Sequence, residues 1–169
     1  SREGFLDEGP DGIGLTMHRI EGSLHAMKLF DTRANKDLGE LTDEACPASM
    51  GAIMGPKGAP LASFGDSFLC LWDPRARRFL GKAALDERPF LDDIRFTPNG
   101  EAVVVGRMVE PEQRIERARV YSAKNAAQIE DLGPIVYLGP TRDALLFQGS
   151  RAHELVRVTR ADTTGHAPV

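Results

Sequence analysis

The sequence has little of what usually names a chemistry. Its 169 residues hold two cysteines, Cys46 and Cys70, and no CxxC spacing, which leaves no cysteine-based metal motif. No stretch approaches the roughly 18 apolar residues of a membrane-spanning helix. Basic residues are not in excess: 21 Lys and Arg against 25 Asp and Glu give a net charge of −4, so neither a nucleic-acid nor an anionic-membrane partner is expected. Nucleophile elbow, phosphate loop and HExxH are all missing. The glycine-rich stretches GPDGIG and GPKGAP lead into no helix that could hold phosphate, and read as hairpin turns. The polar, acidic start SREGFLDEGPDG does not read as a signal peptide. Two reduced cysteines in a cytosolic protein are the plainer expectation, with a Cys46–Cys70 disulfide as the alternative.

What is present is short and repetitive. At 169 residues and 41% hydrophobic, the chain suits one domain with a sizeable core. The run Phe68-Leu69-Cys70-Leu71-Trp72, stopped by Asp73-Pro74, is too short for a membrane span and has no helical period. It reads as a strand buried on both faces. Four proline turns recur: GPDG (9–12), GPKG (55–58), TPNG (97–100) and GPTR (139–142), their prolines 46, 42 and 42 residues apart. Proline suits the second place of a type I turn and glycine the fourth; Arg142 breaks that rule, so the last turn must differ.

The flanks of these turns recur as well. A short apolar piece precedes each turn. IGLTMH, PLASF, EAVVVG or ALLFQG follows it, then HAMKLFD, FLCLWD, RARVYS or ELVRVT, then a mostly basic turn and, in three copies, a weaker fourth strand. The reading is all-β: four units of four antiparallel strands, at approximately 1–45, 46–88, 89–133 and 134–169. A period near 42 with four strands per unit is that of a β-propeller blade, whose faces are covered by its neighbours. The main rival is a helix over 111–132, opposed by apolar positions that hold no single helical face.

FTPNGEAVVVG, GPKGAPLASFGDSFLCLWDP and GPDG…MKLFDTR together resemble the WD-repeat family of β-propellers. Leu71-Trp72-Asp73 matches most closely; Phe30-Asp31 and Val120-Tyr121-Ser122 are degenerate, and the Gly-His dipeptide frequent in the family is missing. The resemblance implies a non-catalytic scaffold in the cytoplasm that binds another protein or a peptide, with no cofactor and no metal. The alternative is a structural or sensor segment of a multidomain enzyme. Four units fall short of the six to eight blades usual for such repeats, so the chain is expected to be part of a larger ring or to complete one with another chain.

Candidate site residues are few. The hairpin in the third unit is the longest, its excess being MVEPEQRIE (108–116). The resemblance places it on the face that the family uses most for partners. Glu110, Glu112, Arg114 and Glu116 stand around the apolar Val109 and Ile115; the segment is either a neutral surface insertion or, with Ile115 exposed amid charges, a small apolar anchor with a polar rim. If Glu21-Gly22 forms the first hairpin turn, His18 faces His25, a pair that could hold zinc or copper or could be two exposed edge histidines. Asp66 sits where the family often has a structural aspartate, and Asp92-Asp93, being adjacent, are expected to point to opposite faces. Arg33, Lys36, Arg75, Arg77, Arg78 and Lys124 fall in equivalent turns, either as solvated residues or as a basic patch.

Overall fold

The computed structural model describes residues 4–9, 11–56, 58–86, 88–89, 93–109, 114–149, 154–160 and 163–168. Among these there is no α-helix, and all strand pairing is antiparallel. The first sheet is a four-stranded meander of β1 (Gly4–Glu8), β2 (Ile13–Glu21), β3 (Leu24–Asp31) and β4 (Lys36–Leu41). The second repeats that plan with β5 (Gly51–Met54), β6 (Leu61–Phe64), β7 (Phe68–Asp73) and β8 (Arg78–Ala84). The third has seven strands: β9 (Ile94–Phe96), β10 (Ala102–Val109), β11 (Arg114–Ser122), β12 (Gln128–Pro140), β13 (Leu145–Gln148), β14 (Glu154–Arg160) and β15 (Thr163–Pro168). Four separate sheets were expected for the four repeats; the last two repeats are one sheet.

The fusion happens in β12. Its first half pairs with β11, Glu130 opposite Val120, and its last residues pair with β13, Tyr137 opposite Phe147. Pro134, which cannot donate to a ladder, falls where the β11–β12 register shifts between Ile115 and Ala118, so its missing N–H removes no ladder bond. Gly133 takes a positive φ of 63° there, a conformation glycine adopts without steric cost.

Two of the three glycine-bearing proline turns close as their residue types dictate; in the other, GPKG, Ala59 rather than Gly58 closes the turn, donating to the Pro56 carbonyl at 2.8 Å. Gly12 and Gly100 donate to the carbonyls of Gly9 and Thr97 at 3.1 and 2.8 Å, and Gly12, Gly58 and Gly100 all have φ between 72° and 76°. The fourth turn differs, as Arg142 requires: Thr141 and Ala144 bond at 2.7 Å, and the Thr141 hydroxyl accepts from the Ala144 amide. The β3–β4 and β7–β8 turns share a device. Asp31 accepts from the amides of Arg33 and Ala34, Asp73 from those of Arg75 and Ala76, and Asn35 and Arg77 follow in the left-handed region.

The chain forms two compact units, one of Ser1–Arg88 with Lys124–Ala126, the other of Pro89–Ala123 with Ala127–Val169. In the first, alternate residues of three strands (Leu15 and Met17, Met27 and Leu29, Phe68, Cys70 and Trp72) fill one core. Leu69 and Leu71, on the other face of β7, are equally buried, as the unbroken apolar run requires. In the second unit the core is Val104, Ile115, Val120, Ile135, Phe147, Val156 and their neighbours.

Candidate functional site

The residues from the two repeat motifs meet in the first unit. Leu61 pairs with Trp72, and two residues along β6 Ser63 reaches the indole: Trp72 Nε1 donates to Ser63 Oγ at 2.9 Å. Cys46 and Cys70 are joined in a disulfide, which corrects the expectation of two free thiols. A disulfide sulfur carries no proton, so at 3.9 Å it is Ser63 that donates, to Cys46 Sγ. Indole, hydroxyl and sulfur therefore form one buried chain, invisible in the sequence because Cys46 lies in a loop with no spacing cue.

The basic turns are engaged within the unit. Asp11 accepts from the Gly58 amide at 3.1 Å and pairs with Arg75 at 2.9 Å; Arg77 donates to the Leu38 carbonyl. These contacts clip the first repeat to the second. Lys28 bonds Asp37 at 2.6 Å. That ammonium, and next the Gly39 amide, hold the Asp37 carboxyl below its ordinary range. In the second unit the Gly133 amide holds Asp131 low; burial opposes it, and Arg117 and Arg119 add smaller lowering effects.

The first hairpin turns one residue later than expected. Glu21 pairs with Leu24, Arg19 with His25 and His18 with Ala26, with an irregularity at Ile20. A one-residue slip reverses the face. His18 and His25 therefore do not converge: His18 pairs with Glu40 at 3.3 Å, while His25 is bridged to Ser49 through the backbone. No cluster of three or more candidate metal ligands occurs among the described residues. Asp66, at the place where the WD-repeat resemblance puts a structural aspartate, is exposed and lies 3.5 Å from Arg88. Asp93 is buried; Asp92 lies outside the described residues.

The long hairpin of the third unit is mostly strand. Met108 pairs with Ile115 and Val109 with Arg114, so only 110–113 separate β10 from β11, and Glu110 and Glu112 lie outside the described residues. Arg114 and Glu116 are on β11. Ile115, expected to be an exposed anchor, is 0% exposed and packs in the second core. Its strand alternation turns it inward, a fact hidden when the segment is read as a loop.

A cavity of about 570 Å³ opens in the first unit, lined by the ends of β2, β3 and β4, the 42–49 connection and Trp72. Beside it Ile20 and Leu24 stand at the hairpin tip, 60% and 39% exposed. His25, Cys46 and Trp72 of this lining were singled out in the sequence, each for another reason; the cavity itself was not, because it is built by the connection after β4, which carries no motif.

No family model matches the chain, and no curated protein does. Solved structures match in fold. Hydrazine synthase of Kuenenia stuttgartiensis superposes with a TM-score of 0.58 at 13% identity, over 95% of this chain and 48% of that one. The dihydro-heme d1 dehydrogenase NirN, in complex with DHE, gives 0.59 at 12%, over 97% of this chain and 36% of that one. Both are β-propeller proteins. The likeness is one of fold. The chain spans less than half the length of either.

Proposed function

We propose that the chain is a non-catalytic β-propeller module of the WD-repeat type that holds another protein or a peptide. The observation carrying this reading is the pair Ile20 and Leu24, two large apolar side chains left exposed together at one hairpin tip on a rigid sheet. Rigid scaffolds place binding residues on such projecting turns, and a small apolar anchor with a polar rim is the usual form of a binding hot spot. The WD-repeat assignment is supported by the bond from Trp72 of FLCLWD to Ser63 of PLASF, which joins the two motifs that carry the resemblance. The Ile20→Asp, Leu24→Asp double variant, made in the full chain, is expected to keep its thermal transition and to lose a protein that the unaltered chain retains, with the loss reproduced on the purified partner. Retention of the same proteins by both chains would refute the assignment.

A second reading is a segment within a larger enzyme. It is favoured by one observation: two of the solved proteins with a similar fold are named for reactions, and this chain matches 48% and 36% of their lengths. Sequencing the gene on either side of this stretch separates the two readings. An adjoining catalytic domain favours the second, and further repeats alone favour the first.

A further inference from the structure

We infer that the first hairpin tip and the cavity beside it together hold a peptide segment in which a large apolar side chain is flanked by lysine or arginine. This partner class rests on the protein-binding reading proposed above. Arg19 pairs with His25 and Glu21 with Leu24, so Ile20 is an extra residue of β2 with no opposite in the ladder. A bulge of this kind re-aims a side chain. Ile20 lines the cavity and is nevertheless 60% exposed, and Leu24, in the next pair of the ladder, is 39% exposed. The apolar surface therefore continues out of the cavity and onto the hairpin. An extended chain can cover both parts, whereas a molecule that only fills the cavity leaves Leu24 in water.

Charge selects the flanking residues of that segment. The charged members of the lining are Asp43 and Glu44, both exposed, and among the described residues it has no lysine or arginine. Arg19, the cation next to Ile20, is turned to its own hairpin, where its Nε donates to the Gly22 carbonyl. An acidic rim beside an apolar surface complements a basic partner and repels an acidic one.

The acidic turn is held in place before any partner arrives. Asp43 Oδ1 accepts from the Ala45 amide at 2.9 Å, the Asp43 carbonyl accepts from the Cys46 amide at 3.1 Å, and the disulfide ties Cys46 to Cys70 on β7. The connection is fixed at its far end too: the His25 amide donates to the Ser49 carbonyl at 2.8 Å, and the Ser49 amide donates back at 3.2 Å. A surface already ordered loses little entropy on binding. Met27, Leu41 and Trp72 are among the lining, and a volume of about 570 Å³, in the range of small-ligand sites, admits one large apolar side chain.

The test uses the full chain and four blocked pentapeptides, followed by ligand-observed NMR and calorimetry: Gly-Lys-Leu-Lys-Gly, the same with glutamine or with glutamate for both lysines, and Gly-Lys-Gly-Lys-Gly. Saturable binding of the lysine–leucine peptide is expected, with a dissociation constant near millimolar for so short a probe. Exposed ion pairs are weak singly, so the glutamine peptide should bind about three- to tenfold less tightly, the glutamate and leucine-free peptides less tightly still. Raising the salt should erase the lysine preference. The Asp43→Asn, Glu44→Gln double variant keeps an acceptor for the Ala45 amide and should bring the lysine peptide to the affinity of the glutamine peptide. Absence of saturable binding, a glutamine or glutamate peptide binding as tightly as the lysine one, or a lysine preference that survives in the double variant would each overturn the proposal. So would sedimentation showing a dimer that Ile20→Asp abolishes and the lysine peptide does not displace, since the occupant is then a second copy of the chain. Loss of the lysine preference while Ile20→Asp, Leu24→Asp still releases its protein refutes this partner class alone; a double variant that keeps its protein refutes the protein-binding reading with it.

Discussion

Trp72 and Ser63 show what one buried hydrogen bond does for a repeat. The indole N–H has a single direction and, with Trp72 buried, meets Ser63 Oγ. Ser63→Ala leaves that donor desolvated and unpaired, at a cost of about 1–3 kcal/mol. In a double-mutant cycle with Trp72→Phe, urea unfolding should return a coupling of about 1 kcal/mol; a coupling of zero would show that the bond contributes nothing. Asp131 makes a second case. Its carboxyl is held low in the folded chain, so its share of stability is present above the ordinary carboxylate pKa of about 3.9 and fades as pH falls through the lowered value. The pair is largely on the surface, so Asp131→Asn should lower the melting temperature by only about 1–2 °C near neutrality. That difference should vanish in acid, and a difference independent of pH would assign the loss to packing. At this scale the sequence was partly legible. LWD and LAS were readable as motifs, whereas the facing of His18 and His25 was not, because an irregularity at Ile20 shifts the hairpin by one residue.

Turns were the most legible elements. Proline fixes φ and glycine admits the positive φ that other residues avoid, so that two of the glycine turns and the exceptional fourth followed from residue type alone. The strands between them followed from alternation. What alternation could not reveal was where a strand ends when no breaker acts. Pro134 looks like a stop, yet it sits at a register shift where no ladder bond is required of it. The 108–116 segment misled for the opposite reason: its charged residues read as a loop, while Ile115 lies opposite Met108 in the ladder. Gly106 is what admits Ile115. A Cβ built there would lie 2.4 Å from Ile115 Cγ2 and 3.1 Å from Ala118 Cα, one of them backbone. Gly106→Ala should therefore cost about 1–3 kcal/mol, read as a lower urea midpoint with an unchanged slope. An unaffected midpoint would mean that β10 and β11 can separate freely at this point.

For the whole chain, the fold class was legible and the cross-link was not. Two cysteines 24 residues apart carry no pattern, and composition pointed to free thiols. Mass spectrometry after alkylation without reductant should find neither cysteine modified. Reduction should remove about 3 kcal/mol, the chain-entropy value for a loop of this length, and lower the melting temperature by about 6–12 °C. Alkylation of both cysteines in the native, unreduced protein would contradict the bond.

The continuity of β12 bears on how such a chain could have been copied and rearranged. A repeat can be duplicated, deleted or transplanted cleanly only where its borders fall between sheets. The connection between β4 and β5 is such a border, since no strand crosses it. Gly133-Pro134 marks the next period in the sequence, but a cut there falls inside β12, whose pairs with β11 run from Gln128 to Val136 and whose pairs with β13 begin at Val136. In the second half no such border between sheets separates the two sequence periods, so a transplanted single period would carry part of β12 away from the strand it pairs with.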